Sequence, residues 1–136
     1  MLGQLERPGR VVVADFEAGL GTVLRLSRDP GSPVRVDVVV VVVEATRSSI
    51  DVGRRAVEAV TAGGLGRVVV TGNRIDGADD AARVRQAFPG LQPVIVPHEP
   101  AVVAAERQGR APLDAAPDSP GVRALVGLAE RVLAGA

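Results

Sequence analysis

Chemistry-bearing side chains cluster in four short stretches of this sequence, each of them just after a run of apolar residues. Asp15 and Glu17 follow Val11–Ala14. They offer two carboxylates two positions apart, and the plainer reading is a pair of solvated acids at a strand exit. Arg47, Ser48 and Ser49 follow a run of six valines and Glu44. Serine without a nearby histidine base is better suited to capping a helix than to nucleophilic attack. Asn73 and Arg74 follow Val68–Gly72. An amide can donate and accept at once, although Gly-Asn is also a turn pair that tolerates left-handed backbone. Pro97, His98 and Glu99 follow Pro93–Val96. His98 is the single histidine, and one histidine without cysteine makes a poor metal site.

These stretches must be positioned by the apolar runs before them. Val38–Val43 has no polar face, and β-branched residues fit the crowded, pleated surface of a sheet. Such a run suits a strand covered on both sides, as in a parallel sheet. Arg10–Asp15, Arg67–Thr71 and Pro93–Val96 read as its neighbours, giving about four strands. Ser48–Ala62 is amphipathic, with Ile50, Val57 and Val60 on one side and Asp51, Arg54, Arg55 and Glu58 mainly on the other. Ser48 or Ser49 is placed to cap it and Gly63-Gly64 to end it. A short helix is expected at Thr22–Ser27, another from Asp79 or Asp80 to Phe88, and a third over Ala101–Gln108. Residues 110–120 read as irregular. The terminal helix Gly121–Leu133 turns Val122, Leu125, Val126, Ala129 and Val132 inward. Strand–helix alternation at this spacing predicts βαβ units with a mostly parallel sheet. Ligands of such sheets bind beyond the carboxyl ends of the strands, where all four stretches lie.

Composition removes many functions. The 136 residues suit one domain with its own core. No cysteine means no disulfide, no thiolate metal site and no cysteine nucleophile. Sixteen basic residues balance sixteen acidic ones along the whole length, so no electrostatic footprint for nucleic acid is expected. Every basic residue is arginine, which excludes chemistry that needs lysine. Two phenylalanines are the only aromatics, too few for base or sugar stacking. No apolar run is long enough to span a bilayer, and the first residues lack a signal-peptide core. A cytoplasmic location is expected.

Taken together, the four loops resemble the deviant-Walker-A branch of the P-loop ATPases. These are the septum-site-determining and plasmid-partitioning ATPases and, above all, the nickel-insertion accessory ATPases of carbon monoxide dehydrogenase. Val11-Val-Val-Ala-Asp15-Phe-Glu17-Ala18-Gly19 is similar to that family's Walker B strand and exit. Val38–Val43 with Glu44-Ala-Thr46-Arg47-Ser48-Ser49 resembles its next strand and turn. Thr71-Gly-Asn73-Arg74-Ile75-Asp76 is similar to its adenine-contacting turn, with arginine in place of lysine. The segment from Ala105 through Gly109 to Pro112-Leu113 resembles a further family element. The match runs in family order over nearly the whole chain.

The resemblance implies a Rossmann-like P-loop NTPase fold and specific roles. Asp15 would hold Mg²⁺, with Glu17 beside it at the attacking water. Asn73 and Arg74 would meet the adenine, and Pro97, His98 and Glu99 would border the base. ATP or ADP with Mg²⁺ is the implied cofactor. One departure is large: the chain has no G-x-G-G-x-G-K-[ST] loop and no lysine for one. Three explanations are open: natural truncation, a phosphate loop on another chain, or a fragment. The expectation is a pseudo-ATPase or protein-binding accessory domain related to metallo-cofactor maturation. Its rival is an ATP-hydrolysing subunit completed by a second chain. A receiver-like domain with Asp15 as phosphoacceptor is a distant third, because receivers need a lysine. Four strands in sequential order would place the connecting helices on one face. The poorly covered other face then predicts a homodimer or a protein partner on the sheet face or edge.

Overall fold

A computed structural model describes residues 9–16, 21 and 36–134. Its centre is a three-stranded, all-parallel sheet in sequential order, of Rossmann-like α/β type. The strands are β1 (Val38–Val43), β2 (Arg67–Ile75) and β3 (Val94–Pro97). Helix α1 (Arg47–Gly63) joins the first two, and α2 (Gly77–Ala87) joins the second and third. After β3 come α3 (Pro100–Arg107), the single turn α4 (Pro112–Ala115) and α5 (Pro120–Leu133).

The valine run forms β1 as its composition predicts. Its register sets Val38 against Arg67 and runs in step to Val43 against Gly72. One face therefore carries Val39, Val41 and Val43 beside Val68, Val70 and Gly72. Right-handed crossovers bring α1 and α2 onto that face. There Val41, Val43, Ile50, Val70, Ile75, Ala81, Val84 and Phe88 form the core. Gly53 of α1 lies so close to the sheet that an added Cβ would collide with Val43 Cγ1 and sit 3.2 Å from Phe88 Cζ. On the opposite face Val69 and Val96 are buried as well, with Val122 of α5. Arg67, on that second face, donates from Nη2 to the carbonyl oxygens of Arg131 and Val132 at 2.9 and 3.2 Å. Arg131 in turn donates to Leu91 O at 2.7 Å and to Gln92 O. These bonds lash the end of α5 to the amino edge of β2 and β3.

Four expectations are corrected. Arg10–Asp15 is not a strand: residues 10–16 are irregular, exposed and outside the sheet, which has three strands among the described residues and not four. β-propensity becomes a strand only with a ladder partner and a covered face, and here the segment has neither. β2 does not stop at Thr71 but continues to Ile75 through an irregularity between Gly72 and Ile75, with Arg74 at φ +56°. The cap of α1 is Thr46, whose Oγ1 accepts from Ser49 N at 3.3 Å. In α5, Leu125, Val126 and Ala129 are exposed, and Val122 alone of the five expected inward residues is fully buried. The helix meets the short β3 along part of its length, so its apolar stripe outruns the sheet beneath it. The helix expected at residues 22–27 lies outside the described residues. Among the described residues no helix is long and apolar enough to cross a membrane.

Candidate functional site

The carboxyl edge of the sheet is where β1 and β2 hand over to α1 and α2. Local chemistry fixes each piece. Glu44 leaves β1 and its backbone N–H donates to Ser49 Oγ at 2.9 Å. Thr46 caps the first turn of α1, and Ile50 N donates to Thr46 O at 3.0 Å. Arg47 is the first residue of that helix, whose first turn holds no acid. The helix therefore directs its positive end and its unpaired N–H groups outward without a balancing carboxylate in the first turn. The second helix differs, with Asp79 and Asp80 in its opening turn.

A cleft of about 430 Å³ opens at this edge, lined by Glu44, Ala45, Thr46, Arg47, Arg74, Asp80 and Arg83. Three of its walls are arginines in different states of engagement. Arg83 is held: Nη1 donates to Ala45 O and to Asp80 Oδ1, each at 3.0 Å. Arg74 is loosely paired, its Nη1 lying 3.8 Å from Glu44 Oε1, with both side chains at least half exposed. Such a pair contributes at most about 1 kcal/mol and yields readily to a better anion. Arg47 makes no ion pair among the described residues. Arginine forks match carboxylate and phosphate oxygens in pairs. The lining thus sets three arginines against two carboxylates, Glu44 and Asp80, in a cleft of a volume ordinary for small-molecule sites.

The structure divides the residues expected from the sequence. Arg74 lines the cleft. Asn73, half-buried, precedes it in β2 and lies outside the lining of the cleft, and Arg74 has a left-handed backbone. Pro97 pairs with Ile75 at the end of β3, and His98 N donates to Ile75 O at 3.0 Å. His98 itself is exposed. Glu99 is engaged at both oxygens: Oε1 accepts from Ala101 N and Oε2 from Gly121 N, each at 3.2 Å. Pro97, His98 and Glu99 lie outside the lining of the cleft. Asp15 sits in the exposed irregular segment, and Glu17 lies outside the described residues. Among the described residues no group of three or more histidines, cysteines or carboxylates is placed to hold a metal.

Sequence reasoning missed Arg83 and Asp80. Their signal was available as an Asp-x-x-Arg pair in the opening turns of a helix that starts at the sheet edge, a spacing that puts both side chains on one helix face. No family model matches this sequence, and neither a curated protein nor a solved structure matches it.

Proposed function

We propose that this chain is a nucleotide-responsive accessory domain, related to the deviant-Walker-A ATPases and to metallo-cofactor maturation, that binds the anionic part of its ligand without hydrolysing it alone. The observation that carries this reading is the cleft walled by Arg47, Arg74 and Arg83 at the carboxyl edge of a parallel sheet. That edge is where open α/β sheets take their ligands. The sequence resemblance supports an adenine nucleotide, with Asn73 and Arg74 on its side of the edge. The absence of lysine from the 136 residues supports binding without turnover. The same domain would act through a protein partner on the open face and edge of its sheet, with a homodimer as the first candidate. The rival reading, a subunit whose phosphate loop comes from another chain, draws on one observation: the outer edge of β1 has no pairing strand among the described residues.

Titration of the full chain with a fluorescent adenine nucleotide, with and without Mg²⁺, tests this. Saturable binding that is indifferent to Mg²⁺ is expected. Arg74→Ala should weaken it by roughly tenfold or more, the size of one charged hydrogen bond. Absence of saturation at millimolar nucleotide, about −4 kcal/mol, would remove the nucleotide reading. Binding that requires Mg²⁺ and a second polypeptide would favour the rival.

A further inference from the structure

Among the described residues β1 is an edge strand with nothing to guard its edge. Among the described residues its only ladder partner is β2. Natural edges are commonly blunted by a charge, a proline or a bulge. Val38–Val43 holds none of these. One face of the strand is open as well: Val42 is 59% exposed where its neighbour Val43 is 1% exposed, and Val40 is exposed beside it.

The chain also carries a segment that matches this edge and is not in the sheet. Arg10-Val11-Val12-Val13-Ala14-Asp15 is as long as β1 and carries three valines to the six of β1. All of it is exposed, Val13 to 88%. Three valines left in water forfeit the burial that strand pairing would give them.

We propose that the outer edge of β1 is completed by the Arg10–Asp15 strand of a second copy of this chain, each copy giving its segment to the other. The inference rests on the protein-binding part of the function proposed above and names the partner. Among the described residues a single copy holds both the free edge and the segment, and the two are not paired in it. Two copies satisfy both needs at once, and reciprocal exchange closes under a two-fold axis as a dimer. Charge and face then choose the direction. A parallel strand with Arg10 beside Asp37 sets Val13 beside Val40 and Asp15 beside Val42, on the open face. An antiparallel strand with Arg10 beside Glu44 sets Asp15 beside Val39, on the face covered by α1 and α2, where a carboxylate is desolvated. The parallel arrangement also brings Asp15 of the second copy to the carboxyl edge, the edge that holds the arginine cleft.

The absence of cysteine makes the test clean. Val13→Cys and Val40→Cys are prepared as separate full-length chains, mixed and mildly oxidised. A disulfide-linked pair of one chain with the other is expected, in large excess over linkage within either preparation alone. Light scattering of the unaltered chain should show a dimer as concentration rises, and Val13→Asp should raise its dissociation constant by roughly tenfold or more. The circular dichroism of diluted Val13→Asp should equal that of the unaltered chain. Three results would overturn the proposal. One is a chain that stays monomeric at the highest concentration reached. Another is a Val13→Cys/Val40→Cys double variant that closes its disulfide within one chain at high dilution. The third is a dimer in which the mixed pair does not cross-link, which defeats strand exchange while leaving partner binding in place. Nucleotide titration of the same samples reads the ligand site separately, so its failure is distinguishable from failure of the dimer.

Discussion

At the scale of single residues, glycine decides how closely the elements approach. Gly53 and Gly127 are both helical, yet their surroundings oppose each other. A methyl at Gly53 meets the Val43 and Phe88 side chains, whereas one at Gly127 meets nothing within 4 Å. Alanine gains about 1 kcal/mol over glycine in a helix interior. Forcing a methyl into a packed core costs about 1–3 kcal/mol. The balance makes Gly53→Ala destabilising by about 1 kcal/mol and Gly127→Ala stabilising by about 0.5–1 kcal/mol. Urea unfolding of the two variants beside the parent measures both, and equal midpoint shifts would contradict the packing described. Gly72 has a similar constraint, since its Cβ would sit 3.2 Å from both Ile75 Cδ1 and Val84 Cγ1. This glycine lets Ile75 fold back into the core after the irregularity in β2. That turn is what leaves Arg74 at the cleft.

Among the elements, α3 and α5 are tied to the sheet's end by one side chain. Glu99 caps α3 and also reaches the amide of Gly121 at the start of α5. The approach depends on Gly121, whose Cβ would lie 2.9 Å from Glu99 Cγ. Glu99→Ala leaves two helix-starting amides without their acceptor, a loss of about 1–3 kcal/mol. Hydrogen exchange should show it as faster exchange at Ala101 and Gly121, with the amides of β1 and α1 unchanged. A uniform increase across the chain would mean that Glu99 supports the whole core instead. The resemblance gave Glu99 a place beside a nucleotide base. In the fold its carboxylate is occupied by backbone, and Arg83 and Asp80, one layer away on α2, line the cleft.

For the whole molecule, the sheet is covered unequally. Among the described residues α1 packs on β1 and β2 and α2 on β2 over one face, and α5 packs on the other face at β3. Alternate valines of one strand therefore differ in energy. Val43→Thr places a hydroxyl in the core and should cost about 1–3 kcal/mol. Val42→Thr should stay within about 0.5 kcal/mol, as surface changes do. Denaturant melts at low protein concentration read the monomer and compare the two directly. Equal losses would mean that both faces are covered.

What the sequence determined by itself was the order of strands and helices over residues 38–108, though not the run of β2 past Thr71. Six β-branched residues in a row, an amphipathic helix and turn glycines are local signals, and alternation of strand and helix admits few topologies. Sequential order was a supposition for four strands, and the three strands found among the described residues do run in sequence. Three matters were decided only by tertiary structure. Val11–Val13 has the composition of a strand and is not one, because a strand is made by its partner and sheet position. Leu125 and Val126 have the spacing of an inward face and stay exposed, because the sheet beneath α5 is short. The charged walls of the cleft, Glu44, Arg47, Arg74, Asp80 and Arg83, come from the ends of two strands and the helices after them, and only the register of β1 on β2 and the turn at Arg74 bring them together.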